Sequence, residues 1–148
     1  MTLIAYLKNT NIYLFGSLIF LMLLTRGDHL LSSISLPDAS FAIFLMGGML
    51  LKKPKWFISL LTFSFVIDLA ALSMNNTYQI PINLGYLGLL ASYVIMWFFG
   101  LRIANTKSFL RFATFGVIAT LVTFVISTQT YNLLSGTFPD ITIKESIQ

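Results

Sequence analysis

Five apolar stretches, separated by short polar connections, account for nearly all of the chain: about Asn9 to Thr25, Asp38 to Leu51, Trp56 to Met74, Ile82 to Leu101 and Phe112 to Leu134. Most approach the ~20 residues needed to cross a bilayer as a helix. Lipid offers no partner to backbone amides and carbonyls, so each spanning stretch is expected to be helical. The expected fold is therefore all-α: one polytopic transmembrane bundle of about five helices over residues 1–148. The second stretch is short, and it is expected either to borrow from the Leu30 to Leu36 segment or to enter obliquely. Pro37-Asp38 reads as its start, with Asp38 able to cap free amides, and Gly136 and Pro139 read as the stop after the fifth.

The connections carry the orientation. Lys52, Lys53 and Lys55 follow the second stretch, and Arg102, Lys107 and Arg111 follow the fourth; together they are six of the nine basic residues. The positive-inside rule makes these two connections cytoplasmic, with the N-terminus and Lys8 on the same side. Alternation then puts Arg26 to Pro37, Asn75 to Pro81 and Ser135 onwards outside. Thr25-Arg26-Gly27-Asp28 offers no cleavage site, so the first stretch reads as a retained helix.

Composition agrees and narrows the chemistry. The chain is 57% hydrophobic and 9% charged, with a mean hydropathy of +0.86, far from the roughly 25% charged residues of soluble domains. The net charge of +4 is dispersed among connections and forms no basic stripe, which argues against nucleic acid. With no cysteine, disulfides, thiolate-bound zinc, iron–sulfur clusters and thiol catalysis are excluded. His29 is the single histidine. It follows Asp28 in the first outer connection and reads either as an interfacial histidine beside a carboxylate or as a ligand for a metal or polar group.

Asp68 is the one acid inside an apolar stretch, where an unpaired carboxylate costs ~2.5–3.5 kcal/mol on insertion scales. It is expected to face the interior, either bonded to a neighbouring helix or serving a ligand or proton. Gly116, Thr120, Thr123 and Ser127 line one face of the fifth stretch, and Gly85, Gly88 and Ser92 one face of the fourth. Small faces let helices approach, and packing within the bundle is their expected use. Tyr78 and Tyr86 lie near the outer mouth, where they could stack on a ligand.

The segments Ser35-Leu36-Pro37-Asp38-Ala39-Ser40-Phe41-Ala42, Phe44-Leu45-Met46-Gly47-Gly48 and Val66-Ile67-Asp68-Leu69-Ala70-Ala71 resemble the small bacterial cobalamin-transport membrane proteins, which are similar to the substrate-binding S-components of energy-coupling-factor transporters. Ala91-Ser92-Tyr93-Val94-Ile95-Met96-Trp97 and Ser135-Gly136-Thr137-Phe138-Pro139-Asp140 extend that resemblance. It implies a six-helix bundle of the bacterial inner membrane that binds its vitamin at the outer face, working alone or with an energising ATPase module. Two departures stand out. Members of the family can carry a cobalt-coordinating cysteine before the fourth helix, whereas Asn76-Thr77-Tyr78-Gln79-Ile80-Pro81 has none. A sixth helix would begin near Asp140, where Pro139-Asp140-Ile141-Thr142 reads as a helix start, yet too few residues follow to recross a bilayer.

The functional expectation is a non-enzymatic, substrate-binding membrane subunit for cobalamin or a related corrinoid. The corrinoid is cargo and no prosthetic group is expected. Asp28, His29, Asp38, Asp68, Tyr78, Gln79 and Tyr86 are the candidate ligand-binding residues, with His29 the candidate for the cobalt of the bound corrinoid. The rival readings are a protein that assembles a membrane complex through its small-residue faces, and an enzyme using Asp68 and His29 as acid and base.

Overall fold

The computed structural model describes residues 3–26, 38–74, 84–106 and 108–134, and every regular element in them is an α-helix. These are α1 (Leu3–Thr25), α2 (Ser40–Leu50), α3 (Pro54–Met74), α4 (Leu84–Ile103) and α5 (Phe109–Leu134). Pro54–Ser73, Gly85–Ile103 and Phe109–Leu134 are long and apolar enough to cross a membrane. Large apolar side chains such as Phe20, Ile58, Phe98 and Phe124 are more than half exposed. An apolar exterior of this kind is matched by lipid and not by water. The chain is a membrane protein.

All five expected helices are present. α1 starts earlier than the apolar run suggests, at Leu3, and α2 is shorter, with 11 residues from Ser40 to Leu50. At 1.5 Å per residue α2 rises only ~16 Å, about half the hydrocarbon thickness. It is sheltered accordingly: Ser40, Ile43, Phe44, Gly47 and Gly48 are buried. Lys52 and Lys53 then turn the chain directly into α3, whose first residue is Pro54, a position where the missing N–H goes unused.

Side-chain pairings fix the directions. Phe44 stacks on Tyr93 at 4.3 Å between centroids, and Gly47 and Gly48 lie against Trp97, so α2 and α4 run parallel. Phe99 meets Phe115 and Gly88 meets Thr130, so α4 and α5 run antiparallel. Lys52 and Lys53, Arg102 in the last turn of α4 and Arg111 in the first turn of α5 therefore share one end of the bundle. Arg26, Ser40, Asp68 and Tyr86 share the other.

The core lies where α1, α2, α3 and α4 converge, around Met22, Ile43, Phe44, Leu60, Tyr93 and Trp97. α2 crosses α4 through glycines: a Cβ on Gly48 would strike the Trp97 carbonyl, and one on Gly100 the Leu45 carbonyl. Backbones touch there, which only a residue without a side chain permits. Ser92 and Thr123 join α4 to α5, with the Ser92 hydroxyl 3.3 Å from the Thr123 carbonyl and 2.8 Å from that of Gly88.

The fourth-helix small face thus packs internally as its sequence suggests, with Gly85, Gly88 and Ser92 buried. The fifth-helix face departs from expectation. Of Gly116, Thr120, Thr123 and Ser127, only Thr123 is buried; Gly116 has open space around it, and Thr120 spends its hydroxyl on the Gly116 carbonyl. The stripe follows the helical period, but α4 covers only one turn of it.

Candidate functional site

The residue just beyond α1 organises the site. Arg26 directly follows Thr25, its amide bonded to the Met22 carbonyl at 2.9 Å, so its side chain leaves the end of α1 toward α2, α3 and α4. It is 5% exposed. A guanidinium stays charged in proteins and presents its donors in a rigid fork, so burying it demands acceptors on several sides.

Asp68 supplies the first pair. Nε donates to Oδ1 at 2.6 Å and Nη2 to Oδ2 at 2.6 Å, a two-point bridge from α1 to α3. Nη1 donates to the Ser40 hydroxyl at 2.6 Å and to the Tyr93 hydroxyl, bringing in α2 and α4. Tyr86, about two turns before Tyr93 on α4, donates to Asp68 Oδ2 at 2.8 Å. The carboxylate therefore accepts three hydrogen bonds from two helices. Arg26 also sits over the Tyr93 ring, 5.4 Å from its centroid.

Asp38 completes the arrangement from above. Oδ1 accepts the Ser40 amide at 2.9 Å and the Ser40 hydroxyl at 2.6 Å, so Asp38 takes up the first amide of α2 from one residue before the N-cap, which is Ala39 and makes no side-chain cap bond. Oδ2 lies 3.7 Å from Arg26 Nη1, and the side chain is 50% exposed. Two carboxylates thus face one guanidinium: Asp68 is sealed beneath it, while Asp38 keeps half its surface open at the end of the bundle.

Of the residues expected to serve a ligand, Asp38, Asp68 and Tyr86 converge on this cluster. Asp28, His29, Tyr78 and Gln79 lie outside the described residues. Tyr86 is 8% exposed and directs its hydroxyl to Asp68, where sequence position alone had suggested an open aromatic at the mouth. Asp68 is interior and paired with Arg26. Both Tyr86 and Asp68 are buried, whereas Asp38 is the half-exposed member of the cluster. Arg26, Ser40 and Tyr93 are the additions: Arg26 counted in the sequence only as a charge of an outer connection. One signal pointed to it, namely that Asp68 needs a cation and Arg26 is the basic residue nearest the same end. Among the described residues no group of three His, Cys, Asp or Glu side chains is placed to hold a metal.

Comparison with protein-family models and with curated proteins finds no match to this chain.

Proposed function

We propose that this protein is the substrate-binding membrane subunit of a vitamin uptake transporter of the bacterial inner membrane, with cobalamin or a related corrinoid as its cargo. One observation carries the reading: Asp38 is held half exposed over a buried, fully bonded Arg26–Asp68 base at the end of the bundle opposite the lysines. By the positive-inside rule that end faces outward. A corrin carries an apolar face and a rim of amides, and amide N–H groups suit a fixed carboxylate acceptor. The base is preorganised, so binding need not order Asp38. The resemblance of Leu36-Pro37-Asp38-Ala39-Ser40 and Ile67-Asp68-Leu69 to cobalamin-transport proteins supports the same cargo, and in this reading His29, Tyr78 and Gln79 of the outer connections are further candidate contacts to it.

The test is a titration of detergent-purified protein with cobalamin, followed by visible absorbance and retention on gel filtration. Retained cobalamin with the spectrum of the free vitamin indicates recognition by shape and hydrogen bonds; a shifted spectrum that reverts in His29→Ala indicates cobalt ligation by His29. Asp38→Ala is expected to weaken retention in both cases. No retention under any condition contradicts the proposal.

A second reading rests on α5. Only Ala119 and Thr123 of its 26 residues are buried, leaving a broad apolar face that an assembly protein would offer to a partner helix. Co-purification of a stoichiometric membrane partner with no cobalamin binding would favour it.

A further inference from the structure

We infer that the lysine-bearing end of the bundle holds an anionic phospholipid, its phosphate on Lys52 and one acyl chain in the groove between α3 and α4. The groove encloses about 390 Å³. Phe57, Val94, Trp97, Phe98 and Leu101 wall it, and Lys52 stands where it meets the connection between α2 and α3. From Val94 to Leu101 α4 rises ~10 Å, within the ~15 Å of a single leaflet. An apolar groove that spans about two thirds of a leaflet and has a lysine in its lining has the chemistry of a phospholipid: hydrocarbon for an acyl chain, a cation for the phosphate.

Charge and backbone point the same way. Lys53 and Lys55 adjoin Lys52, and the described carboxylates, Asp38 and Asp68, both lie at the opposite end, so this field is uncompensated among the described residues. Lys55 is turned onto the Trp56 ring, 4.7 Å from its centroid, and Lys52 is the lysine that lines the groove. Lys52 also has φ 57°, the one positive φ of a non-glycine residue among those described. Its amide reaches back to the Gly47 carbonyl at 3.4 Å as α2 closes. Helices ordinarily place glycine in this left-handed position after the last turn. A lysine there sacrifices stability that glycine would keep, and an anion at the groove mouth gives the ammonium a use. This inference is independent of the cargo at the outer face.

Brominated lipids test it, because bromine on an acyl chain quenches only an indole it touches. Trp56 and Trp97 are the two tryptophans, and Trp56 Nε1 is buried without a hydrogen-bond partner among the described residues, so Trp56→Phe removes the second indole without breaking a hydrogen bond to any of them. The full chain carrying Trp56→Phe is reconstituted in phosphatidylcholine vesicles containing either brominated phosphatidylglycerol or brominated phosphatidylcholine. Trp97 is expected to be half-quenched at about fivefold lower content of the anionic lipid, the ratio one basic contact supplies. Lys52→Arg keeps the preference. Lys52→Gly loses it while melting no lower than its parent, which separates a lipid contact from a folding role. Native mass spectrometry of the unsubstituted protein and Lys52→Gln, scored for retained phosphatidylglycerol, gives the same answer without the Trp56 change. Equal quenching by the two lipids, or a preference that survives Lys52→Gly, overturns the assignment and leaves Lys52 to an acidic protein partner.

Discussion

The two ends of this bundle face the same difficulty, holding helices together where lipid removes the hydrophobic drive, and they answer it with opposite chemistry. At the lysine end α2 and α4 meet through Gly47, Gly48 and Gly100, with backbone against backbone and against the Trp97 ring. At the other end Arg26 gathers Asp68, Ser40 and Tyr93 from α3, α2 and α4 in a network of short hydrogen bonds. Close packing joins two helices at a time and depends on shape alone. A buried fork joins four helices at one point and depends on every partner staying in place. The first device gives stability; the second also fixes where Asp38 stands.

The difference sets an order of sensitivity. Arg26→Leu or Asp68→Leu strands a buried charge, and each is expected to cost about 3–5 kcal/mol, measured as a large drop in the thermal midpoint of detergent-purified protein. Gly48→Ala and Gly100→Ala push a methyl into a carbonyl that cannot swing aside, for about 1–3 kcal/mol each. Gly116→Ala, with nothing near the new methyl, is expected to keep or raise the midpoint, since alanine is the better helix former by ~1 kcal/mol. If Gly48→Ala behaves like Gly116→Ala, the glycine crossing does not hold α2 to α4. Tyr86→Phe removes one hydrogen bond to a charged group and should cost about 1.5–3 kcal/mol, less than the loss of Asp68 itself. Asp38→Asn is expected to lower the midpoint less than Tyr86→Phe, because that carboxylate is half exposed and its pairing with Arg26 is solvent-screened. On the proposed function its effect appears in cobalamin retention instead, and a midpoint that falls as far as in Asp68→Leu would merge the two carboxylates into one role.

Much of this was legible in the chain and some was not, for physical reasons. Helix count followed from apolar length, since lipid admits few alternatives to a helix. Burial and pairing of Asp68 followed from the cost of a lone charge in hydrocarbon. Its partner did not, because Arg26 and Asp68 are 42 positions apart and hydropathy says nothing of which helices touch. Tyr93 was hidden by its type: an aromatic residue in an apolar run reads equally as core or as lipid-facing. The stripe on α5 misled for a related reason. Spacing places small residues on one face, but whether a neighbour covers that face depends on helix crossing, which is a property of the whole bundle.

The central claim is that Arg26 and Asp68 act as one unit, and a double-mutant cycle tests it most directly. Unfolding free energies are measured in detergent for the parent, Arg26→Leu, Asp68→Leu and the double variant. Removing both charges leaves none stranded, so the double variant should lie closer to the parent than either single variant does, with a coupling of about 3 kcal/mol or more. A double variant whose loss equals the sum of the single losses, within ~0.5 kcal/mol, would contradict the account.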